Sequence, residues 1–240
     1  MEQIIQDAIK EIVCDFKKCP QKYFTEEDIR WRLMSQIKQL LHNSGEDEIP
    51  ILNGQTSIIH GEYPTPYRCN MKDKSFELKN PEEKGFHRGH FDIVILEPKS
   101  IRDYNFEIIR AQDYGKFLPL LPNLPMPFVD TIIELMLLRD LNKTGPIAIE
   151  LGKSAVQDIL KTKATLVPQN GYYCEPFARR GIVLLMDNSE LITNKNIDTA
   201  RKKFRDELNK SVKWRELPNS LKVIYVASGK ECILHETGTS

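Results

Sequence analysis

RGHFDIVIL, residues 88–96, is an apolar run with a single aspartate in its middle. Its Phe, Val and Ile residues favour a β-strand, and strand alternation places Asp92 on one face with His90 and Val94. Burying a carboxylate in an apolar strand is costly unless a cation or hydrogen-bond donors meet its charge. The pattern therefore predicts a partner for Asp92.

Two other short apolar runs carry one acid each. SIIHGEY, residues 57–63, puts Glu62 on a face with His60, and PIAIELGK, residues 146–153, puts Glu150 on a face with Ala148. Both runs are predicted strands. Carboxylates near three strand ends predict a site for a hard cation, Mg²⁺ or Mn²⁺, with Asp92, Glu62 and Glu150 as its ligands.

The composition is that of an ordinary globular protein. Hydrophobic residues make up 40% of the 240 residues, and 34 basic residues balance 34 acidic ones, so any site for a polyanion must be local. The cysteine count, five with no C-x-x-C pair, favours reduced thiols and a cytoplasmic protein. Charges throughout MEQIIQDAIKEIV predict neither a signal peptide nor a membrane partner.

Two helices are predicted before the first acidic strand. Residues 3–17 have an apolar stripe, and Pro20 closes that helix. The next helix begins at Thr25, where Thr25 and Asp28 form a capping box. Glu26 lies at the edge of its buried face, so it either serves the site or complements the helix dipole as a first-turn acid.

After Asp92 the elements alternate. Residues 98–145 form a predicted insertion, with a possible strand NFEIIR, a proline-rich run FLPLLPNLPMPF and a helix-like VDTIIELMLLRDL. The proline-rich run is either a cover over the core or a partner surface, and in the second case it is where a homodimer would form.

The later elements complete the predicted sheet. In chain order we expect the PIAIEL strand, a helix capped near Ser154, the strand RGIVLLMD, a helix over 196–211, the strand LKVIYVAS, and an edge strand or frayed tail. The prediction is one α/β domain over residues 1–240, with a core of about 25–228, whose central mixed sheet is flanked by helices.

Several residues are candidates for contact with nucleic acid. They are Arg88 and His90 near Asp92, and the pair Arg179 and Arg180, which would clamp a strand together with Tyr172 and Tyr173. The charged segment 68–88 is either a solvated loop or a phosphate-contacting one. His60 and His90 are each either a general base or ligand, or a core histidine bonded to a carboxylate.

The order of TEEDI, HGEYP, GHFDIVIL and IAIELGK resembles the PD-(D/E)XK nuclease superfamily over residues 25–228. The resemblance implies a restriction-endonuclease-like fold and metal-dependent hydrolysis of phosphodiester bonds, in DNA above all, by endo- or exonuclease action. It makes Asp92 the metal-binding aspartate, Glu150 the acid of the third strand and Glu26 the helix glutamate. Glu62 would be an additional acid.

The lysine departs from this resemblance. The superfamily pattern has an acid, any residue and a lysine, whereas Leu151 and Gly152 separate Glu150 from Lys153. Only a bulge at Gly152 would return Lys153 to the site, where it would orient or deprotonate water. Lys161 or a lysine of the segment before Arg88 would be a substitute, and no spacing supports either. Two alternatives stay open: an inactive nuclease-like module that binds nucleic acid or protein, and acids that are purely structural, paired with Arg88, Lys153 or Arg180.

Overall fold

The computed structural model of the chain describes residues 1–70, 77–79, 88–102, 123, 126–139, 145–169, 174–189, 197–228 and 230–235. Two helices open it, α1 (Glu2–Lys18) and α2 (Glu26–Ser44), and two turns of 3-10 helix lie at Pro20–Lys22 and Trp214–Glu216. The predicted capping box is confirmed, because Thr25 and Asp28 bond each other's backbone N–H groups. The side chains of α2 that face the core are Ile29, Leu33, Ile37 and Leu41.

A β-hairpin follows α2. Its strands are β1 (Glu48–Ile51) and β2 (Gly54–Ser57), which pair antiparallel. Gly54 has a φ of +139° at the turn, a conformation that glycine adopts readily.

The other described strands form one mixed sheet of seven, in the order β4-β3-β5-β6-β7-β8-β9. The strands are β3 (Ile59–Asn70), β4 (Glu77–Lys79), β5 (Arg88–Leu96), β6 (Val129–Leu138), β7 (Ala178–Asp187), β8 (Leu221–Ala227) and β9 (Lys230–His235). β3, β5 and β6 run antiparallel in succession, whereas β6, β7 and β8 are parallel. The predicted α/β class, with a central mixed sheet flanked by helices, is confirmed.

Helices make the crossovers that parallel strands need. They are α4 (Gly145–Thr165) and α5 (Ile197–Ser211), and a one-turn helix, α3 (Pro98–Ile101), follows β5. Arg180 of β7 bonds Glu2 of α1, while a Cβ on the next residue, Gly181, would meet Thr162 of α4 at 2.4 Å. Because successive strand residues point to opposite faces, α1 and α4 cover opposite faces of the sheet.

Two predictions about secondary structure are wrong, and they concern neighbouring segments. VDTIIELMLL is strand β6 and not a helix, and PIAIEL is the first part of α4 and not a strand. β6 has neighbours on both edges and every residue buried, so its sequence is apolar without alternation. The third strand therefore begins at Val129, inside the segment predicted as an insertion.

The helix predicted to be capped near Ser154 begins at Gly145 instead, and most of the other elements agree with the sequence. The strands predicted around Asp92, Glu62, RGIVLLMD and LKVIYVAS are confirmed, and so is the helix before Ser211. The chain's last described segment is an edge strand, β9. NFEIIR and most of the proline-rich run lie outside the described residues. In the described part of the chain no helix is both long and apolar enough to cross a membrane.

Candidate active site at the fork between two strands

The site lies where β5 and β6 separate. The two strands pair from Leu96 and Val129 as far as Ile93 and Ile133. Beyond that pair, carboxylates take the place of strand carbonyls: Asp92 Oδ2 accepts from the Leu135 N–H at 2.7 Å, and Glu26 Oε1 accepts from the Leu137 N–H at 3.2 Å. The predicted partner of Asp92 is therefore a backbone donor, and the same edge of β6 fixes Glu26 beside it.

Glu134 of β6 is the buried acid behind this fork. Its side chain is 2% exposed, and its Oε1 lies 2.9 Å from Lys161 Nζ of α4. The same ammonium lies 3.3 Å from Asp158 Oδ1 and donates to the His90 carbonyl at 2.9 Å. The contact with the His90 carbonyl is a hydrogen bond, whereas Glu134 Oε1 accepts no hydrogen bond from the described residues and meets Lys161 as an ion pair.

Burial and charge shift the pKa values of this cluster. Loss of solvation raises the pKa of Glu134 well above its usual range, and it also raises the pKa of Asp158, in both cases against the opposing charge of Lys161. Burial by itself lowers the pKa of Lys161, but Glu134 and Asp158 more than offset it and leave that pKa raised. Lys161 therefore keeps its proton at neutral pH.

A second cation, Arg30 of α2, contacts the acids on the side of the fork that faces the cleft. Its guanidinium pairs with Glu27 and Glu62, and its Nη1 lies 3.6 Å from Asp92 Oδ1. Glu62 lies opposite Asp92, between the register pairs Gly61–Ile93 and Tyr63–Phe91. It has a φ of +50°, a left-handed conformation that is strained for a glutamate and that recurs at functional sites.

These side chains line a cleft of about 370 Å³. The lining residues are Thr25, Glu26, Glu27, Arg30, Glu62, Asp92, Leu137 and Arg139. Loss of solvation raises the pKa of Glu26; the hydrogen bond from Leu137 opposes this shift and the charge of Asp92 adds to it. Arg139 donates to the Phe24 carbonyl at 2.5 Å, which ties it to the rim.

Three of the residues predicted for the site, Glu26, Glu62 and Asp92, line this one cleft. Glu150 does not take the predicted place on the third strand. It lies on α4, 41% exposed, and pairs with Lys153 at 3.4 Å. It precedes Asp158 by eight residues, a rise of about 12 Å along the helix. The acid of the third strand is Glu134.

The predicted bulge at Gly152 is also wrong. Gly152 lies within α4, where a Cβ would come 2.9 Å from Glu207 Cβ of α5, so glycine serves close helix packing. Lys153 precedes Lys161 by the same rise of about 12 Å. The ammonium beside the strand acids is that of Lys161.

The residues predicted to contact nucleic acid divide into two groups. His90 adjoins Asp92 and is exposed. Arg179 and Arg180 lie at the start of β7, where Arg180 donates to Asp130 at 2.6 Å and Arg179 to Glu97 at 2.8 Å. Arg180 aligns with Thr131 of β6, four residues and about 13 Å before Leu135. This places the arginine pair away from the cleft.

Other candidates are inside the core or outside the described residues. The His60 Nε2 is buried, makes no hydrogen bond among the described residues, and packs its ring 5.8 Å from that of Tyr63. Burial lowers the pKa of His60. The backbone of Arg88 belongs to β5, but its side chain, Tyr172, Tyr173 and the lysines of the segment before it lie outside the described part.

Sequence reasoning missed Glu134, Asp158 and Arg30. One signal was available: IIELMLL contains an acid in a run of β-branched and large apolar residues, the same anomaly that singles out Asp92. Among the described residues, no three acid, histidine or cysteine side chains form a ready-made metal site. Comparison with family models, curated proteins and solved structures gives no match to the chain.

Proposed function

We propose that the chain is a divalent-metal-dependent nuclease that hydrolyses phosphodiester bonds in nucleic acid, with DNA as the expected substrate. The observation that carries the proposal is the convergence of Glu26 and Asp92 on the edge of β6, with Glu134 and a protonated lysine directly behind them.

The order of elements around the cleft supports a PD-(D/E)XK-like interpretation. The succession α2, β3, β5, β6, α4, β7 is the helix, three strands, helix and strand that underlie the resemblance. With the corrected third strand, the acid, spacer and lysine positions read Glu134, Leu135 and Met136. Lys161 of α4 brings to Glu134 the ammonium that Met136 does not supply.

The residues present fit a hydrated Mg²⁺ or Mn²⁺ ion. Asp92 and Glu62 are hard oxygen donors, Glu26 uses one oxygen on β6, and a cationic group, Arg30, already lies between Glu62 and Asp92. A cleft of about 370 Å³ holds roughly ten waters at about 30 Å³ each, which suits an ion that keeps several of its own. Such an ion would lower the pKa of an attacking water and neutralise the leaving oxygen.

The chain's own groups have distinct roles in this proposal. Glu26, with its raised pKa and its place in the cleft, accepts the proton of the attacking water. Lys161 retains its proton, so it does not act as a base. It holds Glu134 in place and sets a fixed positive charge beside the fork, where negative charge develops in the transition state.

The proposal is tested by metal binding and hydrolysis with Asp92→Asn. Mg²⁺ or Mn²⁺ is expected to raise the melting temperature of the wild-type chain, and Asp92→Asn to abolish both that rise and the hydrolysis of single-stranded, duplex and branched DNA. Asp15→Asn is the matched control, because Asp15 of α1 is 19% exposed against 24% for Asp92 and pairs with Lys22 and with Arg32 of α2, outside the residues that line the cleft. A rise that survives in Asp92→Asn contradicts the proposal.

A second candidate is a nuclease-like module without turnover that binds nucleic acid. Met136 at the lysine position and the ion pairs of Lys161 with Glu134 and Asp158 within the protein favour it. Under this alternative the metal-dependent rise in melting temperature persists in the wild type, whereas no substrate is cleaved with either metal.

A further inference from the structure

We propose that Arg30 is a built-in counter-ion, which occupies the metal-binding carboxylates until a divalent cation displaces it and then binds the phosphate of the substrate. The inference rests on the proposed function and adds to it a positioning and substrate-binding role for an arginine that no motif identified.

The geometry points to Arg30 because its guanidinium lies among three carboxylates of one cleft. It pairs with Glu27 on its own helix and with Glu62 on β3, and it lies 3.6 Å from Asp92 Oδ1 on β5. Asp92 and Glu62 are also the acids that would bind the ion. A guanidinium is always charged, so the ion and Arg30 cannot both lie close to these two carboxylates without mutual repulsion.

The contacts on the ion-binding side are ones that a cation can replace. The Asp92 contact, at 3.6 Å, is longer than a hydrogen bond, and Glu62 is 60% exposed and held in a left-handed conformation. Glu27, three residues before Arg30 on α2, offers a contact that need not break when the other two do. The Arg30 side chain can therefore leave Asp92 and Glu62 and remain at the cleft through its contact with Glu27.

The displaced guanidinium is the group suited to a phosphate. Arg139, the other arginine of the cleft, donates to the Phe24 carbonyl, and the Lys161 side chain is 7% exposed and paired with Glu134 and Asp158. Arg30 is 17% exposed at the cleft wall, and its planar fork matches two phosphate oxygens.

The test compares metal titrations of the wild type, Arg30→Met and Arg32→Met, read as melting temperature against Mn²⁺ concentration without substrate. Arg30→Met lowers the half-maximal Mn²⁺ concentration at least about tenfold, because the ion no longer has to overcome the attraction of a unit charge to two carboxylates about 4 Å away, even at the dielectric constant of water. Arg32→Met leaves it within about twofold, because Arg32 lies on the same helix but pairs with Asp15 at 3.3 Å. DNA hydrolysis at saturating Mn²⁺ falls in Arg30→Met and not in Arg32→Met.

Arg30→Lys separates charge from shape. It keeps the competing charge, so its half-maximal Mn²⁺ concentration stays within about twofold of the wild type, but it loses the fork and hydrolyses DNA more slowly. If Arg30→Met does not fold, Arg30→Gln replaces it in the comparison.

Two results together overturn the role of Arg30 and leave the proposed function standing. The first is a half-maximal Mn²⁺ concentration in Arg30→Met equal to that of the wild type. The second is a Mn²⁺-dependent rise in melting temperature that Asp92→Asn abolishes. A tenfold tighter titration in Arg30→Lys overturns the role of Arg30 as well. A Mn²⁺ response that persists in Asp92→Asn instead overturns the proposed function.

Discussion

Asp92 is the single acid of the apolar strand β5. Its place inside an apolar strand predicted a partner, and the partner is the Leu135 N–H at 2.7 Å. One Asp92 oxygen accepts from β6, and the carboxylate also lines the cleft, so the residue proposed as a metal ligand is held by the sheet. The contact of the second oxygen with Arg30, at 3.6 Å, is too long for a hydrogen bond.

Glu26 gives a pH-dependent prediction at the scale of one residue. Its pKa is raised above the ordinary 4.5 of a free glutamate, so the folded state binds this proton more tightly than the unfolded state. The stabilisation that results is fully present below pH 4.5 and is lost as the pH rises through the raised pKa. Glu26→Gln removes this titration and keeps an oxygen for the Leu137 N–H. Its free energy of unfolding is therefore expected to increase relative to the wild type across that window.

The measurement is urea unfolding at a series of pH values in metal-free buffer, with Asp28→Asn as the control. Hydrogen bonds from the Thr25 and Phe24 N–H groups lower the pKa of Asp28 below 3.8. Its stabilisation is therefore present above pH 3.8 and is lost as the pH falls through the lowered pKa, which is the opposite sign. A difference between wild type and Glu26→Gln that does not change with pH contradicts the raised pKa of Glu26.

At the scale of the elements, sequence reasoning succeeded where one face of a strand or helix is polar. The stripe of α2 and the single acid of β5 are visible in the sequence because one side of each element meets water or a charge. β6 lies in the middle of the sheet, and with both faces buried it has no alternation to distinguish it from a buried helix. The residues PIAI form a short apolar run that reads as a strand, because the residues that favour a helix come only after them in α4.

Misassigning these two elements misplaced the lysine as well. The third strand is β6 and its acid is Glu134. The cation that pairs with Glu134 comes from the helix packed on the sheet, α4. That partner depends on how α4 lies against the sheet: a Cβ on Gly181 of β7 would overlap Thr162, the residue after Lys161. Packing of this kind joins residues far apart in sequence, and no local spacing reports it.

The pair Glu134 and Lys161 gives a prediction about α4 and β6 together. Lys161→Met leaves Glu134 buried without its cation and is expected to cost about 3–5 kcal/mol in the free energy of unfolding. Glu134→Leu alone leaves the buried ammonium with fewer partners and also destabilises. The double variant replaces both by apolar groups, so its loss is expected to be smaller than the sum of the two.

Denaturant unfolding of the four proteins measures this coupling, and DNA hydrolysis by the double variant separates structure from chemistry. If the double variant is stable but does not hydrolyse DNA, the pair acts in the reaction. If it hydrolyses DNA at the wild-type rate, the pair is structural only, and the role proposed for Lys161 is wrong. Additive losses in stability would contradict the direct contact at 2.9 Å.

At the scale of the whole molecule, the chain offers a polyanion little attraction. Its 34 basic and 34 acidic residues balance, and the acids of the cleft, Glu26, Glu27, Glu62 and Asp92, outnumber its arginines, Arg30 and Arg139. DNA that approaches this cleft without a divalent cation meets net repulsion. Substrate affinity is therefore expected to depend on the metal, and not only the rate of hydrolysis.

We expect DNA to bind at least about tenfold more tightly in Ca²⁺ than in EDTA, since one divalent ion about 4 Å from a phosphate charge exceeds this factor even at the dielectric constant of water. Asp92→Asn removes one negative charge, so it is expected to bind DNA more tightly than the wild type in EDTA and to gain less from Ca²⁺. Fluorescence anisotropy at constant ionic strength measures both, because DNA affinity also depends on monovalent salt. Asp15→Asn makes the same change of charge on α1, outside the cleft, and is expected to bind DNA as the wild type does. Equal affinity of the wild type in Ca²⁺ and EDTA would show that DNA does not approach this cleft.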